Sequence, residues 1–307
     1  MASEVSALYE KFIERDLDAI PAAIRTFRES HSSDDLFLAV ARFAILAYAP
    51  SQHAKHAVLA CLSAHELRDA YGERWDDLLI ECARYAAESR QPWSEPPLLD
   101  PPAIEPDQPR DVDALRAAIA SRDRLAGERW LAARLDDENL PHDLFTVAAD
   151  EFEDLGHKLI VARAAWKLAG ILGEKGRYAA LRIAVWELTS NPGQRYVERG
   201  GGTSDLLRHL ADNAVADKGS LESMHLVFLY HAAMNTPVFE RVCDYLGSQP
   251  LRSPESELPA VTEPPVYRLA RDYAQCLNAF TLDDERVRAA AAWNLEHAPS
   301  FADWSFA

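Results

Sequence analysis

The chain has 307 residues, 48% of them hydrophobic and 26% charged, the balance of a globular protein rather than of a disordered or membrane-spanning one. Its 49 acidic against 32 basic residues leave a formal charge of −17, a sign that repels a phosphate backbone and an anionic lipid surface, so neither nucleic acid nor membrane is expected as a partner. No cationic, then apolar, leader opens the sequence, and the four cysteines (Cys61, Cys82, Cys243, Cys276) form no CxxC pair; reduced thiols and a cytoplasmic location are the expectation.

Ala, Leu, Arg and Glu dominate, and alternating β-branched runs are missing, so the pattern predicts helix almost throughout. In chain order the expected helices cover 3–14, 16–29, 34–48, 52–71, 74–90, 111–121, 124–136, 142–154 and 157–172. They continue over 175–190, 203–215, 219–234, 236–247, 265–280 and 283–297. "SSDD", "TSD" and "TLDDE" supply caps at three of the starts. Two stretches break the pattern: 91–109 has seven prolines and 249–265 has five. Proline fixes φ and removes a donor, so both are expected to be extended, and their apolar residues (Trp93, Ile104, Leu258 among them) suggest ordered straps across the helices. The fold expected is all-α: one bundle-like domain over 1–307.

An internal similarity supports that architecture. Residues 56–73 align with 157–174 at an offset of 101, with five of eighteen positions identical: His56/His157, Ala64/Ala165, Leu67/Leu168, Gly72/Gly173 and Glu73/Glu174. Each stretch leads into a second helix that ends near a proline, Pro92 or Pro192, so the reading is two helix hairpins that each carry a histidine early in the first helix.

Histidines are the candidate chemistry. In "SQHAKHAVLACLSAH" His53 and His56 lie three apart, on one helical face, within reach of a single ion; they read equally as helix-start decoration. His157 follows Glu153 and Asp154 in "EFEDLGHKLI", a carboxylate-histidine spacing found in helical metal sites, or plain solvated acids before a helix. His225 and His231 sit in the apolar "LESMHLVFLYHAAMN", about 120° apart around a helix axis and about 9 Å along it, so they read as ligands or as hydrogen-bonded core residues. "RGGGTSD" reads as an anion-binding nest or an interhelical turn. Trp75, Trp130, Trp166 and Trp186 read as core or as an aromatic pocket. No GxSxG, HExxH or P-loop occurs.

Three segments in this order, "HAKHAVLA" (53–60), "GHKLIVARA" (156–164) and "MHLVFLYHA" (224–232), resemble the questin oxidase-like family, over roughly residues 50–298; residues 1–49 would then be extra N-terminal helices. The resemblance implies a mostly helical oxygenase acting on polycyclic aromatic, polyketide-type substrates. It also implies a non-haem iron held by His53, His157, His225 and His231, with NADPH associated with some members. His56, Glu153 and Asp154 are then an additional ligand or groups that hydrogen-bond to the ligands. The closing segment departs from the family's pattern: "DDERVR" puts Arg286 where a histidine is usual and Ala289 where a lysine is usual. The alternative is a metal-free helical protein that binds an apolar ligand or a protein partner.

Overall fold

The computed structural model describes residues 2–50, 52–89, 100–200, 205–216, 221–250 and 273–297. Among them there is no strand, and the protein is all-α. The helices are α1 (Ala2–Glu14), α2 (Ile20–Arg28), α3 (Ser33–Leu46), α4 (Gln52–Glu66), the single turn α5 (Arg68–Tyr71), α6 (Trp75–Ser89), α7 (Val112–Ser121) and α8 (Arg124–Ala132). They continue with α9 (Leu140–Ala148), α10 (His157–Leu172), α11 (Glu174–Ser190), α12 (Leu206–Ala216), α13 (Leu221–Ala233), α14 (Phe239–Gly247), α15 (Tyr273–Ala279) and α16 (Glu285–His297). No helix among the described residues is long and apolar enough to cross a membrane.

The chain groups into two units, Met1–Trp93 with Ala211–Met224 and Arg252–Ala307, and Ser94–Leu210 with His225–Leu251. In the first unit α6 packs on α1, α2, α3 and α4, and α15 also packs on α4. Leu78, Leu79, Cys82 and Tyr85 of α6 are fully buried, because they recur at three- and four-residue spacing and so share one stripe. Burying each such apolar side chain contributes about 1.5–3 kcal/mol. Trp75 opens α6, and its indole N–H donates to the carbonyl of Ala64 at 2.8 Å, which ties the helix start to α4. Cys61 and Cys82 are free, buried thiols; a hydrogen bond to Cys61 and burial push the Cys82 thiol well up.

In the second unit the hairpin of α10 and α11 is the centre, with α8 and α7 against α11 and α9 against α10. Helix α10 is buried almost all round, from His157 to Ala165 without a break, as expected of an internal helix. A Cβ on Gly127 of α8 would sit 2.7 Å from Val185 Cγ1, so α8 and α11 approach more closely than any larger residue allows. Glu128, beside it, is buried and accepts hydrogen bonds from Tyr178 Oη at 3.0 Å and from the Trp186 indole. The guanidinium groups of Arg124 and Arg182 lie over the Trp186 ring at 4.3 and 4.0 Å. Trp75 and Trp130 are core residues, 2% and 1% exposed.

The two similar stretches both form helix hairpins, α4 with α6 and α10 with α11. Of their shared glycines, Gly72 caps the single turn α5 that follows α4 and Gly173 caps α10; both have positive φ, +52° and +67°, a region that glycine enters without steric cost. Of the proline-rich stretches, 90–99 and 251–272 lie outside the described residues. Residues 100–109 are non-helical and mostly exposed, and Ile104 is 46% exposed rather than packed down. The segment 201–204 of "RGGGTSD" also lies outside the described residues.

Candidate metal centre

The site is built around an abrupt change of backbone direction. Helix α9 ends at Ala148, short of the predicted 154. Asp154, Leu155 and Gly156 then take three successive left-handed conformations (φ +55°, +56°, +76°), and α10 starts at His157. Only glycine reaches this region freely, and a non-glycine residue there costs about 1–2 kcal/mol, so strain is held just before a buried histidine. Gly156 is also sterically required: a Cβ would lie 2.7 Å from both methyl carbons of Leu229 on α13.

The left-handed turn folds the Asp154 carbonyl back onto His157, whose Nδ1 lies 2.5 Å from it. A carbonyl only accepts, so Nδ1 carries the proton and, in the neutral ring, the lone pair is left on Nε2. The Asp154 carboxylate stands 3.4 Å from the same Nδ1. His157 Nε2 faces His225 Nε2 of α13 across 2.7 Å, with ring centroids 4.4 Å apart. Both rings are buried, 4% and 1% exposed. Two imidazole nitrogens turned on one point in dry surroundings either share a proton or bind one cation.

His56, in the first unit, is buried as well, 2% exposed. Within the second unit, His157 and His225 are thus two buried histidines whose Nε2 atoms could hold a metal ion. His231 is half-buried six residues past His225 and, among the described residues, does not join that group. The side chain of His53 lies outside the described residues. Glu153 is exposed, and its carboxylate accepts from the Gln194 backbone N–H at 2.8 Å. Arg286 is 44% exposed and ion-paired with Asp212, while Ala289 is buried.

One feature beside the site has only a faint signal in the sequence, a lysine inside an apolar helix. Lys158 follows His157 and is buried; its Nζ lies 2.7 Å from Glu151 Oε1, donates to the Asn191 carbonyl at 2.7 Å, and forms an ion pair in which both side chains are 8% exposed. The non-helical segment 191–199 is thereby drawn onto 149–153. Tyr196 N–H donates to the Asp150 carbonyl (2.7 Å), and Arg241 donates to the carbonyls of Ala149 and Tyr196 (2.7 Å each). The Tyr196 hydroxyl and Arg199 N–H both donate to Asp244. Nothing local in the sequence encodes these long-range bonds.

No family model, curated protein or solved structure matches the chain.

Proposed function

We propose that His157 and His225 are the core of a metal centre, and that the protein is a metal-dependent oxidoreductase, a non-haem iron oxygenase of questin oxidase-like type. The observation that carries the metal is the 2.7 Å approach of two buried Nε2 atoms, one of which has its lone pair directed by the Asp154 carbonyl. The residues fit such a group: neutral imidazoles suit iron, and the carbonyl behind His157 is the usual support of a ligating ring. When bound, a redox-active ion supplies one-electron chemistry with dioxygen. The chain's own part is to orient two imidazoles, keep water from them by burial, and hold the His157 proton on Nδ1.

An aromatic substrate is supported by an open cleft of about 520 Å³ in the second unit. Phe152 stacks on Tyr245 at 4.4 Å and Tyr196 meets both rings edge-on. Phe152 and Glu153 of this cleft lead directly into the turn before His157. NADPH has only the family resemblance behind it, and the cytoplasmic location is supported by the free thiols.

The same 2.7 Å contact also favours a second reading, a metal-free helical protein in which one imidazole donates to the other and the pair is satisfied. Elemental analysis of the full chain, produced in iron-replete medium, separates the two. The expected result is about one ion per chain in wild type and in His209→Ala, and loss of the ion in His157→Ala and His225→Ala. Wild type that is metal-free and takes up none on titration with ferrous iron would leave the second reading. Retention of metal in both variants would move the centre elsewhere.

A further inference from the structure

A second, smaller cavity in the same unit, of about 200 Å³, opens between the segment 192–195 and helices α7 and α11. Its apolar walls are Ile119, Val147, Leu188 and Pro192. The charged groups that line it are unevenly matched. Asp150 is held by Arg116 at 2.8 Å and Glu151 by Lys158 at 2.7 Å, and Glu151 also accepts from the Glu153 N–H at 2.7 Å. Arg195 is left over: among the described residues its guanidinium makes no hydrogen bond or ion pair. The lining thus carries one positive charge in excess, in a chain whose net charge is −17.

The position of Arg195 is fixed although its side chain is exposed. The residues on either side bond through their backbone N–H groups, Gln194 to Glu153 and Tyr196 to the Asp150 carbonyl. Gly193 lets the segment pass against the cavity floor, where a Cβ would collide with the Glu151 carboxylate. A buried ion pair is expensive to maintain, and here one such pair forms part of a cavity wall that no metal ligand uses.

We infer that this cavity binds a small monocarboxylate with an apolar body, its carboxylate on Arg195 and its chain against Leu188, Val147 and Ile119. Arginine matches a carboxylate in a two-point fork. The volume lies below the roughly 300–1,000 Å³ of drug-sized sites, which limits the ligand to a few non-hydrogen atoms. A single excess charge matches a monoanion and leaves a phosphate dianion under-compensated.

The test is calorimetric titration of the full chain, freed of metal by chelation so that carboxylate binding to an ion plays no part. The probes are straight-chain carboxylates from acetate to octanoate, with the matching primary alcohols and inorganic phosphate as controls. Saturable binding is expected for the carboxylates, tightening by roughly fourfold per methylene until the cavity is full. The alcohols and phosphate are expected to bind at least about tenfold more weakly. Arg195→Ala, an exposed substitution that does not threaten folding, is expected to weaken the best carboxylate by at least about tenfold, and Arg199→Ala to leave it unchanged. No saturable binding, tighter binding of phosphate, or equal affinity in Arg195→Ala would overturn the inference. His157→Ala and His225→Ala are expected to titrate like wild type, so failure here is separable from failure of the metal centre.

Discussion

Asp154 acts on His157 through two different groups, and they can be separated. Asp154→Asn keeps the backbone carbonyl and tolerates left-handed φ, but removes the carboxylate charge 3.4 Å from Nδ1. Metal affinity measured by chelator competition is expected to fall about tenfold; unchanged affinity would assign the whole task to the carbonyl. Gly156→Ala adds a methyl where the backbone is left-handed and Leu229 stands 2.7 Å away. Strain and overpacking together are expected to cost about 2–4 kcal/mol, read from the denaturant midpoint. At this scale the sequence was half legible. "GHKLIVARA" and "MHLVFLYHA" mark three histidines as belonging to apolar helices, and the structure joins the Nε2 atoms of two of them, His157 and His225, and not His231. The role of Asp154 was legible only as a carboxylate three residues before a histidine. Its carbonyl is brought to Nδ1 by three left-handed residues, and of these only Gly156 is of a type that signals such a conformation.

Helix starts were the most legible elements, because caps are local chemistry. Ser32 Oγ accepts from the Asp35 N–H at 3.1 Å while the Asp35 carboxylate accepts from the Ser32 N–H at 2.9 Å, the reciprocal capping box that "SSDD" permits. Asp284 of "TLDDE" likewise accepts from the N–H groups of Arg286 and Val287. The hydrogen bonds from Ser32 hold the Asp35 carboxyl below its ordinary value. A carboxyl with a depressed value in the folded state contributes stability that is fully present above the unfolded value, about 3.9, and is lost as pH falls through the folded one. The stability difference between wild type and Ser32→Ala is therefore expected to be constant from pH 7 to about 5 and to shrink below about 4. The Asp35 N–H bond to Ser32 Oγ does not titrate, so only an undiminished difference at pH 2 would show that the cap acts without the carboxylate. Helix ends were less legible: α9 stops at Ala148 although 142–154 reads as continuous helix, since the left-handed turn and the bonds from 191–199 are set by distant partners.

For the whole molecule the excess of acid over base is the dominant long-range term. Self-repulsion at −17 acts over about 30 Å at 10 mM salt and about 8 Å at physiological ionic strength. The melting temperature is expected to rise by a few degrees over that range of sodium chloride. A fall would mean that surface pairs such as Arg28–Asp76 and Arg68–Asp34 outweigh the repulsion. The all-helical class was legible from composition because helix propensity is summed over many residues.

Helix α15 packs on α4, the helix that carries His56, and both belong to the first unit although they lie far apart in the sequence. At synthesis rates of 5–20 residues per second, the roughly 200 residues between α4 and α15 take roughly 10–40 s to emerge from a ribosome. For that interval Ala57, Ala60 and Cys61, all buried in the finished protein, belong to a helix that lacks one of its neighbours. The nascent chain is thus expected to offer a chaperone an apolar surface on α4, withdrawn only once α15 has emerged.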